Sequence, residues 1–131
     1  TNISAIYIRA AIRHNPQRVI ELLEPTSELE DNEKTFAEFD YQLNHDLAMA
    51  SGNPIYVLVL NGFKGLYARI GQYYFSSSEA RQLARDYYAD LIAVAREGDY
   101  NESVNLVRRY GYESAEIWHG LRGDMPNDLV D

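Results

Sequence analysis

The sequence contains no cysteine. Disulfide cross-links, thiolate nucleophiles and sulfur metal ligands are therefore excluded from the chain. That lack suits a reducing compartment, and a cytoplasmic location is expected. Basic residues are few: 12 Lys and Arg stand against 20 Asp and Glu, for a net charge of −8. A nucleic-acid surface needs clustered cations to replace the counterions around phosphates, so this chain is not expected to grip DNA or RNA by itself. No apolar run approaches the ~20 residues that cross a bilayer. No secretory leader is visible, and no membrane contact is expected. The chain opens on Thr1 rather than methionine, as expected of a piece excised from a longer protein.

Catalytic signatures are missing too. The sequence has no Walker-type phosphate loop, no dinucleotide-binding glycine fingerprint and no nucleophile elbow around a serine. No acid–base pair stands out, so no enzymatic activity is expected. His14, His45 and His119 never pair at i+3 or i+4. Asp40 and Asn44 share a helix face, but a carboxylate and an amide without imidazole make a poor transition-metal site. No metal and no cofactor are expected.

What remains is a chain of 131 residues, 46% apolar, enough for one domain with a real core over 1–131. Its composition is odd in one respect, with eleven Tyr against four Phe. Tyrosine joins apolar area to a hydroxyl, so a core that meets something polar, or a cavity that does, is expected.

The periodicity is helical almost throughout. Ile3, Tyr7, Ala10 and Ala11 mark a first helix, and Asn15-Pro16 caps and opens a second. Thr26 to Lys34 reads as an acidic link. Phe36, Phe39, Leu43 and Leu47 give an amphipathic helix from Thr35 to Ala50. In "SGNP" (51–54), Gly52 suits the left-handed end of that helix, and Asn53 and Pro54 start the next. The helix from Pro54 to about Phe75 begins so apolar, "IYVLVL", that it is expected to be central. Ser76 and Glu79 suggest a capping box for a helix ending at Gly98. Asp99 and Glu102 repeat the logic for a last helix to about Leu121. The fold class is all-α, an antiparallel bundle of about six to seven helices.

Two stretches invite a functional reading. Tyr67 and Tyr74 lie two turns apart on one face, and Gly62, Gly65 and Gly71 occupy the same helix. Each glycine forfeits about 0.5–1 kcal/mol of helix stability relative to alanine. Close packing or an open volume must compensate. In the last helix, Gly111, Ser114, Trp118 and Arg122 form one stripe, flanked by Tyr110. Two readings of the stripe stand side by side. It is a packing seam, or it lines a tunnel with an apolar interior and an aromatic, cationic mouth suited to an amphipathic anion.

The segments "FAEFDYQLNHDLAMASGNPIY", "LNGFKGLYARIGQYYF" and "VRRYGYESAEIWH" resemble the C-terminal acyl-CoA-binding effector domains of FadR-type fatty-acid-metabolism regulators, within the bacterial GntR family. The likeness runs over essentially the whole chain. It implies a domain that binds long-chain acyl-CoA and so releases the full-length, homodimeric protein from operator DNA. DNA would be held only by an N-terminal winged helix-turn-helix absent from this chain. Such regulators repress fatty-acid degradation and activate unsaturated fatty-acid synthesis. By resemblance the acyl-CoA site falls on Tyr110, Gly111, Ser114 and Trp118, with Tyr67, Tyr74 and Tyr88 near the acyl cavity. Gly123 stands where the family has a lysine for CoA, and the adjacent Arg122 is expected to supply the charge. Related domains bind metal through an Asp and three His. Here Asp40 matches the aspartate, but Asn44, Tyr88 and Tyr110 stand at the histidine positions. The resemblance therefore favours the metal-free branch over a metal-dependent sensor of a small organic acid; a helical interaction module without ligand is a third alternative.

Overall fold

Among the residues that the computed structural model describes, 3–62 and 64–121, there are seven α-helices, several of them started by capping side chains. They are α1 (Ile3–His14), α2 (Pro16–Leu23), α3 (Glu33–Ala50), α4 (Pro54–Gly62), α5 (Lys64–Tyr74), α6 (Ser78–Glu97) and α7 (Tyr100–Leu121). A short 3-10 turn, Glu24–Glu28, follows α2. Among the described residues there is no strand.

The caps follow the chemistry of orphan backbone donors at helix starts. The Asn15 side chain accepts from the Arg18 N–H at 3.2 Å. Asn53 accepts from Ile55 at 3.0 Å, and Asp99 from Glu102 at 3.1 Å. Gly52 and Gly98, at φ +83° and +68°, take the left-handed conformation that ends α3 and α6. Two boundaries differ from expectation. Helix α3 starts before Thr35, because Asn32 accepts from the Thr35 N–H at 2.8 Å. Helix α6 is capped by Ser77, which accepts from Ala80. The hydroxyl of Ser76 is instead turned back to the Tyr73 carbonyl.

The core is built where α1, α3, α6 and α7 meet. Tyr7, Ile8 and Ile12 of α1, Phe36 and Leu47 of α3, and Tyr88 and Leu91 of α6 are almost wholly removed from water. Each such side chain contributes about 1.5–3 kcal/mol. Tyr87 and Tyr110 stack with ring centroids 4.1 Å apart, tying α6 to α7. Arg81 donates to the Phe75 carbonyl and to Asp31, both at 2.7 Å. It thereby holds the link before α3 against the start of α6, and it holds the Asp31 carboxyl below its ordinary value.

The expected central helix over 54–75 needs correction. It is described as α4 and α5, on either side of residue 63. The apolar α4 is peripheral: none of its residues is buried. Only Tyr56, Val57 and Leu60 pack against the core. Among the described residues α4 packs chiefly on α3, so one side of the helix finds neighbours and the other does not. Helix α5 packs along α3 and buries only Gly71. There Gly71 sits close enough that a Cβ on it would lie 3.4 Å from that of Ala37. No helix is long and apolar enough to cross a membrane among the described residues.

Candidate functional site

Helices α3, α5 and α7 line an open cavity of about 480 Å³. Helix α5 contributes Leu66, Tyr67, Ile70, Gly71 and Tyr74, with Phe75 just beyond its end. Helix α7 contributes Tyr110, Gly111, Ser114, Ala115 and Trp118, and α3 contributes Asp40. The volume lies within the ~300–1,000 Å³ common for small-molecule sites. The lining is largely apolar, with a few convergent hydroxyls and one carboxyl.

The polar part is a network across four helices. The Tyr67 hydroxyl donates to Asp40 Oδ2 at 2.5 Å, and the Tyr88 hydroxyl to Oδ1 at 2.7 Å. Asn44, one turn after Asp40, donates to its backbone carbonyl at 2.9 Å. Asn44 in turn accepts from the Tyr7 hydroxyl at 2.6 Å. Burial raises the Asp40 carboxyl above its ordinary value, against the lowering effect of the two phenol donors. Burial also raises Tyr67, Tyr88 and Tyr110, and the Asp40 charge adds to the shift. These phenols therefore stay neutral donors in the physiological range.

Two hydroxyls differ from the rest. Ser114 donates to the Tyr110 carbonyl at 2.6 Å, which leaves its lone pairs free to accept. The Tyr74 oxygen is shut from water yet makes no hydrogen bond among the described residues. Burial pushes its pKa up to about 12. The Ser114 and Tyr110 hydroxyls lie close enough to offset part of that rise, and the Tyr74 oxygen itself has no open path to the cavity.

The mouth of the site is set by Trp118. Tyr73 meets its ring edge-on at 6.2 Å and donates to the Leu121 carbonyl at 2.9 Å. These contacts hold the end of α7 against α5.

Of the residues singled out by sequence, Tyr67, Tyr74, Tyr110, Gly111, Ser114 and Trp118 come together around this one cavity. Tyr88 does not line it; wholly buried, it stands behind Asp40. Arg122 and Gly123 lie outside the described residues. The sequence reading did not assign Asp40, Leu66, Ile70, Gly71, Phe75 or Ala115 to a ligand site. Leu66, Ile70 and Tyr74 recur at four-residue spacing, a signal that was available. Asp40 was considered only as a metal ligand, because its phenol partners come from helices distant in the chain. Among the described residues no three His, Cys, Asp or Glu side chains cluster as metal ligands do.

The Asp40 network makes a pH prediction. A carboxyl raised in the folded state favours its neutral form there, so ionisation costs stability. That cost is absent below the ordinary value of 3.8 and grows as pH rises from there through the raised value. Thermal unfolding of the wild type and of Asp40→Asn between about pH 3.5 and 7.5 should show the wild type losing ground to the variant as pH rises. A difference that does not change with pH would show that Asp40 titrates alike in both states.

The family described as FadR C-terminal domain matches residues 1–130. The fatty acid metabolism regulator protein of Shewanella pealeana is 57% identical over 129 residues, covering 98% of this chain and 54% of the relative. The protein of the same name from Shewanella oneidensis is 54% identical over 130 residues, covering 99% of this chain and 54% of the relative. The chain thus spans about half the length of these relatives.

Proposed function

The chain belongs to the FadR C-terminal domain family, and we propose that it is the ligand-sensing part of a fatty-acid-metabolism regulator whose effector is a long-chain acyl-CoA. The observation that supports this most is the cleft between α5 and α7, apolar along its walls, with tyrosines and Ser114 among its lining. The acyl chain would lie against Leu66, Ile70 and Phe75. Tyrosine hydroxyls of the lining would meet the polar thioester and pantetheine region. Trp118 would pack on the pantetheine or CoA portion, and Arg122 would meet its phosphates. Tyr88 would act through Asp40 rather than by touching ligand.

Operator DNA would be engaged by the half of the homodimeric regulator that this chain does not span. Release would require the ligand to prefer one of two domain arrangements, since a ligand shifts an equilibrium only by its differential affinity. The direct test is calorimetry of the full-length regulator with oleoyl-CoA. Heat saturating at one ligand per chain is expected, and silence at high micromolar ligand would sink the reading. Each buried methylene adds up to about 0.8 kcal/mol. Octanoyl-CoA should therefore bind more than about tenfold more weakly.

A further inference from the structure

Helix α1 contributes no side chain to the cavity lining, yet a chain of hydrogen bonds joins the two. Tyr67 and Asp40 both line the cavity, and the Tyr67 hydroxyl donates to Asp40 Oδ2 at 2.5 Å. One turn along α3, the Asn44 amide donates to the Asp40 backbone carbonyl at 2.9 Å. Its nitrogen also lies 3.4 Å from Asp40 Oδ2 and 3.5 Å from the Tyr67 oxygen. The amide oxygen accepts from the Tyr7 hydroxyl of α1 at 2.6 Å. Tyr7 is only 2% exposed, so water does not stand in for that acceptor.

The Asn44 amide gives this chain two discrete arrangements. A hydrogen bond weakens steeply with distance and angle. In the arrangement seen, Tyr67 serves Asp40 Oδ2, and the amide nitrogen stands off from that oxygen. A ligand lying against the Tyr67 ring and drawing its hydroxyl away would leave Oδ2 short of a donor. The Asn44 amide is the donor next to it. Turning the amide toward Oδ2 moves its oxygen away from the Tyr7 hydroxyl. Leaving a buried polar group unpaired is costly, so such a network exchanges partners rather than shifting by degrees.

Helix α1 is where the exchange would be felt beyond this chain. The matching family is a C-terminal domain, and the chain covers 54% of its S. pealeana relative, so the rest of such a regulator lies largely ahead of α1. We infer, resting on the acyl-CoA reading of the cavity, that Tyr7 and Asn44 are positioning residues that couple cavity occupancy to α1. Ligand acts on Tyr67, and Asp40 and Asn44 pass the change to the Tyr7 hydroxyl. Neither Tyr7 nor Asn44 lines the cavity, so neither needs to touch ligand.

Tyr7→Phe in the full-length regulator tests this, because it keeps the buried ring and removes only the hydroxyl. Binding to a labelled operator duplex is followed by fluorescence anisotropy with and without saturating oleoyl-CoA. The factor by which oleoyl-CoA weakens that binding is the coupling. In Tyr7→Phe the factor is expected to fall by about threefold or more, the size of one lost hydrogen bond. Calorimetry without DNA should keep the oleoyl-CoA affinity within about threefold of wild type. Asn44→Leu, which removes the amide at similar volume, should lower the factor as much. Tyr41→Phe, whose hydroxyl serves Asn61 instead, should leave it as in wild type. A purely structural role for Tyr7 would lower Tm or both affinities and leave the factor intact. That result, a smaller fall in the factor, or an equal fall in Tyr41→Phe would overturn the coupling alone. A wild type whose operator binding ignores oleoyl-CoA would overturn the acyl-CoA reading, and the coupling with it.

Discussion

Replacing Gly111 by leucine is expected to weaken long-chain acyl-CoA binding by about a hundredfold while leaving the protein folded. Gly111 lines the cavity at the middle of α7. An isobutyl group there competes for the volume the acyl chain needs, and overpacking typically costs about 1–3 kcal/mol, up to about a hundredfold in affinity. Stability should move the other way. Glycine inside a helix is about 0.8–1.0 kcal/mol worse than alanine, so leucine removes a helix penalty. Calorimetry with oleoyl-CoA and thermal unfolding of the same variant read the two effects separately. Lost affinity with an unchanged or raised Tm is the expected pair. A large fall in Tm would mean that Gly111 exists for helix packing, and unchanged affinity would remove the cavity from the binding reading.

The second large effect falls on stability. Tyr88 is wholly buried on α6, packs edge-on against Phe39 at 5.7 Å, and donates to Asp40 at 2.7 Å. Tyr88→Ala should cost about 3–5 kcal/mol through the cavity it opens, lowering Tm by roughly 10–20 °C. Tyr88→Phe keeps the ring and removes only the donor to a carboxylate, so about 1.5–3 kcal/mol is expected. Unfolding of the two variants separates packing from hydrogen bonding. Equal losses would show that the Asp40 contact, not the ring, is what Tyr88 supplies. Near-normal stability of Tyr88→Ala would contradict its place behind the site.

Most helix boundaries were legible because capping is local. Asn15, Gly52, Asn53, Gly98 and Asp99 act on backbone groups within a few residues, so their spacing in the chain is their spacing in space. The stripe of Gly111, Ser114 and Trp118 was legible for the same reason, since a helix turns by a fixed angle per residue. Ser76 and Ser77 show the limit of such reading: both are plausible caps, and the difference lies in which hydroxyl meets a free N–H.

By itself the sequence determined six helical segments, the joints between them and one face of a candidate site. All of these depend on interactions within a few residues or on helical periodicity. Tertiary structure alone decided that the apolar α4 lies outside, because an apolar run states that burial is needed but not which neighbour provides it. It also decided that Asp40 gathers Tyr67 and Tyr88 from 27 and 48 residues away. Those outcomes arise where helices distant in the chain meet, and no local spacing encodes that meeting.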